Sequence, residues 1–504
     1  MPFFDVLIYG ATMPGIVAGT RLARLGYSVG ILEWTPFAGG LTTGGLGIPD
    51  YVNRTQNWGI THEYFQAVEA AAKASGATEA TYGRHSTSGL IRRFTPGWAR
   101  TARDALLATP GLTLITDIEL QEVTKDAVTK QLLAVTANGV TYTFRAWADA
   151  SYEGDLLRMA GVTMTFGREG RASYDEFAAG YQPQWSRFRS TPFTTARGDR
   201  FRYATPVPTG MRGQADYKTQ AYSFRMTLST EPNRRTFEPP PGYKAADFVD
   251  FVNQANVSRW YTIKNLSSYQ SPTPFLHSTN GGDVRALAWE YPRLYSKVDR
   301  LRFQERMFYI VAGRYYSAMT DSASPAALRG SIAKHGLPAH ENSSEFIGTP
   351  GWSSAIYMRI VNRMVGQYVL SWKDATVPYN SSKPDPICLG GYPIDRHAIH
   401  FFAAMDGGHY REGAPQDPGR KIYQVPFRAV KPHPSQVTNG LAIVPVSMTD
   451  IIACSYRMEP TWMVTGDACG IALALALEQN IPIANLAYGA LRERLVDAGA
   501  RITP

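Results

Sequence analysis

The feature that most constrains this chain lies in its first 33 residues. Residues 4–9 (FDVLIY) form a near-continuous apolar run, the pattern of a strand buried on both faces of a parallel sheet. Gly10 ends the run, Gly15 opens the helical stretch IVAGTRLARLG, and Gly26 is placed to close that helix in a left-handed conformation. A second apolar run at residues 28–32 (SVGIL) ends in Glu33. Together these make a βαβ unit of the dinucleotide-binding pattern. Gly10 permits the tight turn, and Gly15 and Gly19 let the helix pack closely on the strands. The helix start, with Thr12 and Pro14 in the turn, aims free N–H groups and a positive dipole end at a pyrophosphate. Glu33 lies 23 residues after Gly10, where a carboxylate accepts hydrogen bonds from a ribose diol. Thr12 replaces the middle glycine of G-x-G-x-x-G, a departure that leaves an ordinary βαβ crossover as the competing reading.

The segment after Glu33 separates two dinucleotides. An NAD domain usually passes from that acid into another helix. Here residues 38–47 read AGGLTTGGLG. Glycine-rich backbone at Gly39, Gly40 and Gly45, with Leu41 and Thr42 between, allows the main chain to approach phosphates and a flavin, which favours FAD. A flexible surface loop is the bland alternative.

Residues 114–150 are rich in β-branched runs, and Asn138-Gly139 is a two-residue hairpin signal between two of them. Residues 167–389 hold most of the irregular, Pro- and aromatic-rich sequence. Residues 463–477 (MVTGDACGIALALAL) are apolar on nearly every side, so that helix is expected to be buried. Gly466 and Gly470 allow close backbone approach near its start, and Asp467 is a polar group needing a partner. The expected division is 1–166 for the first part of a nucleotide-binding domain, 167–389 for an inserted substrate domain, and 390–504 for the returning part.

Composition excludes several classes. At 504 residues the chain is long enough for two cores. The net charge of +9 is dispersed, without a basic run, so no nucleic-acid partner is expected. Cys388, Cys454 and Cys469 make neither a redox dithiol nor a cysteine-rich metal site, and no metal is expected. The opening MPFFDVLIYG runs into a strand with no basic n-region or cleavage site, so no leader is expected, and no apolar run reaches the roughly 18 residues of a membrane span. The cytoplasm is the expected location.

Taken together, the segments resemble a broad family of FAD-dependent oxidoreductases among the succinate-dehydrogenase-like and glutathione-reductase-like flavoproteins, some of which carry a misleading xanthan-lyase label. The resemblance runs from YGATMPGIVAG and AGGLTTGGLG through DASYEGDLLRMAGV with FGREG and GWSSAIYMRIVNRMVGQYVL. It continues in GGYPIDRH, YQVPFRAVKP and SYRMEPTWMVTGDACG, the last being the most specific string. It implies an α/β fold: a Rossmann-like FAD-binding domain of the glutathione-reductase type with a β-meander, plus an inserted α+β substrate domain. Two departures stand out. Ile360 and Asn362 occupy positions where the family's pattern has Glu and Arg. No histidine lies in AGGLTTGGLG, where relatives with covalent flavin carry theirs, so FAD is expected to be non-covalent.

The implied activity is a dehydrogenase or oxidase passing hydride from a C–H bond of a small hydroxylated substrate, such as a carbohydrate, to flavin N5. His397 is the first candidate for the base. Arg457 and Arg428 are candidates for stabilising charge, Arg359 and Asp395 for binding substrate, and Asp467 for holding the ribityl chain. The generous aromatic content suggests a pocket wall that stacks on a ring. A flavin-dependent non-redox lyase or isomerase and a flavin monooxygenase are the alternatives. No motif names the substrate or the electron acceptor.

Overall fold

A computed structural model describes residues 1–50, 57–86, 88–176, 178–183, 186–189, 208–249, 251–252, 275–277, 283–339, 350–376, 382–403, 409–413 and 422–504. Much of the irregular middle of the chain lies outside them. Strand β1 (Phe3–Tyr9), helix α1 (Met13–Arg24) and strand β2 (Val29–Leu32) form the expected βαβ unit. Thr12 caps α1, its hydroxyl accepting from Gly15 N at 3.4 Å and donating to Ala150 O at 2.7 Å. Threonine thus does at this position what glycine cannot, since it ties the helix start to the neighbouring strand's end. Gly26 follows the helix with φ +90°.

The two longest helices between β2 and β3 (Leu112–Ile115) are α2 (Gly59–Ala74) and α3 (Pro96–Leu107), and β3 joins the sheet parallel to β2. β4 (Leu120–Lys125), β5 (Leu132–Ala137) and β6 (Val140–Asp149) then run as an antiparallel meander. Asn138 and Gly139 turn the last hairpin with φ of 47° and 75°, the positive pair that such a turn demands. The sheet order is β3-β2-β1-β6-β5-β4, with β7 (Gly440–Ala442) adding in parallel to the far end of β6. β6 therefore pairs antiparallel to β5 over its first half and parallel to β1 as far as Asp149, which stands opposite Tyr9.

Side chains alternate across the sheet. Val6 and Ile8 face the larger core, whereas Leu7 and Tyr9 face a smaller one with Leu32, Val135 and Trp147. Helix α4 (Lys297–Thr320) contributes Phe303, Met307 and Val311 to the larger core. Helix α5 (Glu459–Glu478) crosses α1 on that side. Gly466 makes the crossing close, because a side chain there would fall on Pro14 O, and Gly470 sits against Ala18 O. Among the described residues α5 alone reaches the length and hydropathy of a membrane span, although its apolar run is broken by polar residues such as Thr465 and Asp467. Every residue of its most apolar stretch is buried inside the protein.

The chain's last quarter thus returns to the first sheet. The expected limit at 389/390 falls inside a strand, Pro386–Gly390, that pairs with Tyr423–Pro426. The aromatic residues of the middle pack on one another: Phe237 stacks on Tyr315 at 5.2 Å, and Trp352 meets Phe308 at 5.1 Å, all four buried. These rings build core, so the pocket-wall role expected of the aromatics does not fall to them.

Candidate cofactor and substrate site

The glycine turn after β1 is crowded enough to need its glycines. Gly10 has φ +99°, and a side chain on it would strike Ser151 N. One on Gly15 would strike Gly10 O. The second glycine-rich segment lies directly beside this turn, with Gly39 N donating to Ala11 O at 2.6 Å. The two segments wall one cleft of about 450 Å³, lined by Thr12, Glu33, Phe37, Gly40, Tyr152 and Met358 among others. Tyr152 and Met358 also line an adjoining pocket of about 270 Å³ with Arg359, Val444 and Trp462.

Glu33 is buried at the cleft. It accepts from Ala11 N at 2.8 Å and from Thr35 N at 2.9 Å. Burial pushes its carboxyl up to about 7, against the opposing pull of those hydrogen bonds. A second buried carboxylate, Glu459, went unnoticed in the sequence. It begins α5, accepts from Thr42 Oγ1 at 2.7 Å and from Tyr152 Oη at 2.9 Å, and is likewise raised by burial to about 7. Leu41 N donates to the same Tyr152 hydroxyl at 2.9 Å. Glu459 and Tyr152 therefore pin the glycine-rich segment to α5. The available signal was Pro460, at the first turn of the helix, where proline favours a start.

Asp467 takes a different position from the one expected. Helix α5 starts at Glu459, so Asp467 lies two turns inside it and not at its start. Arg21 Nε donates to its Oδ1 at 2.6 Å and Ile60 N to its Oδ2 at 2.9 Å, so the carboxylate ties α5 to α1 and α2. Burial still raises its pKa, with Arg21 opposing. Gly470 serves the same helix crossing. Gly45, at φ +131°, packs against Arg225 O, so its freedom accommodates the middle of the chain.

Four of the five candidates for chemistry converge. His397 Nδ1 lies 3.0 Å from Asp283 Oδ2, and Arg359 Nη2 donates to Asp283 Oδ1 at 2.9 Å. His397 Nε2 stands 3.5 Å from Asp395 Oδ2, which accepts from Arg457 Nη2 at 2.8 Å. Arg457 Nη1 also donates to Tyr357 Oη at 3.0 Å. Burial would raise Asp283, but Arg359 and His397 outweigh it and hold the carboxyl well below its usual range. Asp395 is held down in the same direction by His397 and Arg457, against its own burial. Asp283 and Tyr357 were missed because nothing local marks them; Asp283 is 114 residues from His397 in the chain.

Arg428 does not join this cluster. It is 41% exposed, pairs with the buried Asp385 at 3.1 Å and lies over Tyr368, so its partners are separate from the cluster. Among the described residues no group of three or more His, Cys, Asp or Glu side chains could hold a metal ion.

The family model for FAD dependent oxidoreductases matches residues 5–495. The chain belongs to this family. No curated protein matches this oxidoreductase. Solved structures share only about a third of it. A Tyr258Phe mutant of NikD, described as an unusual amino acid oxidase essential for nikkomycin biosynthesis, is 16% identical, with a TM-score of 0.24, over 34% of this chain and 57% of that one. Glycine oxidase from Geobacillus kaustophilus is 15% identical, with a TM-score of 0.25, over 34% and 62%. L-proline dehydrogenase from P. horikoshii is 13% identical, with a TM-score of 0.25, over 34% and 59%. The chain thus spans less than two thirds of these proteins, and likenesses this partial carry no argument about its substrate.

The cleft fits FAD. Its glycines sit where any side chain would close the turn, and a buried carboxylate at its edge meets only backbone and one threonine of the protein. α1 points its capped N-terminus into the same turn.

Proposed function

We propose that this FAD-dependent oxidoreductase is a dehydrogenase or oxidase that removes hydrogen from a small hydroxylated substrate, with His397 as the proton acceptor. The reading is carried by one observation: Arg359, which lines the inner pocket, is linked through Asp283 to His397. Asp283 is held ionised and can only accept, so Nδ1 of His397 carries the shared hydrogen. Nε2 is then the nitrogen that receives a proton from a substrate hydroxyl. Asp395, fixed by Arg457, steadies the imidazolium that results.

Non-covalent FAD supplies the two-electron acceptor for the C–H bond. Glu33 is suited to accept from the ribose hydroxyls of its adenosine half, and the N-terminus of α1 to receive the pyrophosphate. Tyr152 and Glu459 hold the glycine-rich segment in place beside it. The antiparallel meander and the return of β7 to the first sheet support a domain of the glutathione-reductase type, with the middle of the chain supplying the substrate side. A carbohydrate finds no support in Phe237, Phe308, Tyr315 and Trp352 of the middle, which are spent on core.

The test is anaerobic mixing of purified holoenzyme with a metabolite panel, followed by rapid-mixing kinetics on whichever compound bleaches the flavin band. His397→Ala should slow bleaching by about 10²–10⁴, the scale for loss of a general base, with FAD content unchanged. Normal bleaching in the variant removes His397 from the reaction. Turnover without any bleaching assigns the chain to the non-redox lyases or isomerases instead.

A further inference from the structure

The segment that walls the cofactor cleft has two sides. Ile356 and Met358 line the 450 Å³ cleft, and Tyr357 between them takes part in a charged cluster. That alternation is the ordinary pattern of an extended chain. The guanidinium groups of Arg225 and Arg359 lie 4.1 and 5.0 Å from the Tyr357 ring centre, and Arg457 bonds its hydroxyl. Arg285 and Arg411 extend the cluster beyond Asp283 and Arg359.

Among the described residues three carboxylates stand in this cluster, those of Asp50, Asp283 and Asp395. Arg359 is paired with Asp283 and Arg457 with Asp395. Arg225 has no such partner: among the described residues no hydrogen bond or ion pair reaches its guanidinium, and its Nε is buried. Asp50 is near enough to feel Arg225 but spends its hydrogen bond on the Tyr392 hydroxyl at 3.3 Å. Proteins rarely leave a partly buried guanidinium uncompensated, because its lost hydration has to be replaced by an anion.

We propose that Arg225 binds a carboxylate of the substrate, so that this oxidoreductase acts on a small organic acid. The proposal deepens the reading given above and rests on the chain oxidising a small hydroxylated substrate. The Arg225 guanidinium lies 4.1 Å from the centre of the Tyr357 ring, and a guanidinium can offer two parallel N–H donors to the two coplanar oxygens of a carboxylate. A phosphate dianion would call for several unengaged donors, and Arg359 and Arg457 are engaged. The position is also anchored. Arg225 follows the short strand Ser223–Phe224, which pairs with Ile356–Tyr357, and its carbonyl packs on Gly45 of the glycine-rich segment. The group that orients the acid is thereby fixed to the segment beside the cofactor cleft. Substrate oxygens on Arg225 leave the adjoining hydroxyl-bearing carbon to the Arg359–Asp283–His397 chain of the same cluster.

The experiment is calorimetric titration of FAD-loaded enzyme with acetate, glycolate and benzoate, and with benzamide as the uncharged match to benzoate. At least one carboxylate should bind saturably, and benzamide should bind at least about tenfold more weakly than benzoate, the scale of one charge-assisted hydrogen bond. Arg225→Met should weaken the carboxylate by a similar factor, with Arg225→Lys between the two. Absence of binding by all three acids overturns the proposal, as does equal binding of benzoate and benzamide, or inorganic phosphate competing as tightly as the best acid. If Arg225→Met fails to load FAD, the Arg225→Lys titration and the benzamide comparison on unaltered enzyme still decide it. The two readings fail separately. Slow flavin reduction in His397→Ala with no selectivity for acids sinks only the carboxylate site. Acid binding that needs Arg225, beside normal reduction in His397→Ala, sinks only the base.

Discussion

The cofactor cleft and the charged cluster behind it are built in opposite ways. The cleft is mostly backbone: two glycine-rich turns, one helix start and one carboxylate, nearly all within the first 50 residues. The cluster is side chains from separate stretches of chain, with Asp50, Arg225, Asp283, Tyr357, His397 and Arg457 drawn together over roughly 400 positions. A backbone site depends on conformation, so it should fail through steric change. A side-chain site depends on charge balance, so it should fail through loss of partners and respond to chemically matched substitutions.

Four changes press on that contrast. Gly10→Ala should have the largest effect. It forces a side chain into a positive-φ position and against Ser151 N, costing about 3–5 kcal/mol from left-handed strain and overpacking together. Thermal unfolding and FAD content should both fall, and a variant that keeps its FAD would show that the turn is looser than its geometry implies.

Glu459→Gln comes next, and its effect is a pH effect. Burial raises the folded-state pKa of Glu459 from 4.5 to about 7. Between those values the unfolded chain has released a proton that the folded protein still holds, so this group makes stability fall as pH rises through that window. The loss is of order 3 kcal/mol at 1.36 kcal/mol per pKa unit. Denaturant unfolding of the apoprotein at pH 4.5 and pH 8 should show Glu459→Gln with a shallower decline than the unaltered chain. Equal slopes would mean that Glu459 ionises freely in the folded state.

Glu33→Ala should weaken FAD by at least tenfold, about 1.4 kcal/mol, while the apoprotein unfolds as a native fold does. Unchanged affinity in an equilibrium titration would move the ribose contact elsewhere. Arg428→Ala should do least to the reaction: flavin reduction should be nearly unchanged, and the effect should fall on stability, because the change removes the cationic partner of the buried Asp385. A large fall in flavin reduction in that variant would return Arg428 to the reacting site.

What the sequence made legible follows the same division. β1, α1, β2 and the Asn138-Gly139 hairpin could be read because each is specified by neighbours within a few residues: apolar period, turn glycines and an acid at strand end. The burial of α5 was readable from its uniform apolarity. Its start was not, because the Gly466-Asp467 pair imitates a helix start, whereas the proline that opens the helix lies further back at Pro460. Asp467 shows the limit of motif reasoning: a Gly-Asp pair in an apolar helix satisfies a helix-packing arrangement, with Arg21 as the partner that only the fold reveals. His397 was found by residue type alone, and Asp283, which orients it, has no local signal. Arg428 was grouped with Arg457 by chemistry and separated from it by position.

The crossing of α1 by α5 has a consequence for how the protein comes into being. Arg24 and Glu459 are 435 residues apart, so the partner surface for the first helix is made long after the helix itself. At about 5–20 residues per second that interval is roughly 20–90 s. Throughout it the α5-facing side of α1 has only water or a chaperone to cover it. β7, which completes the parallel side of β6, arrives almost as late. The nascent chain therefore carries a finished nucleotide-binding pattern long before it owns a closed nucleotide-binding fold, and the time spent in that state makes this protein's yield sensitive to translation speed and chaperone supply.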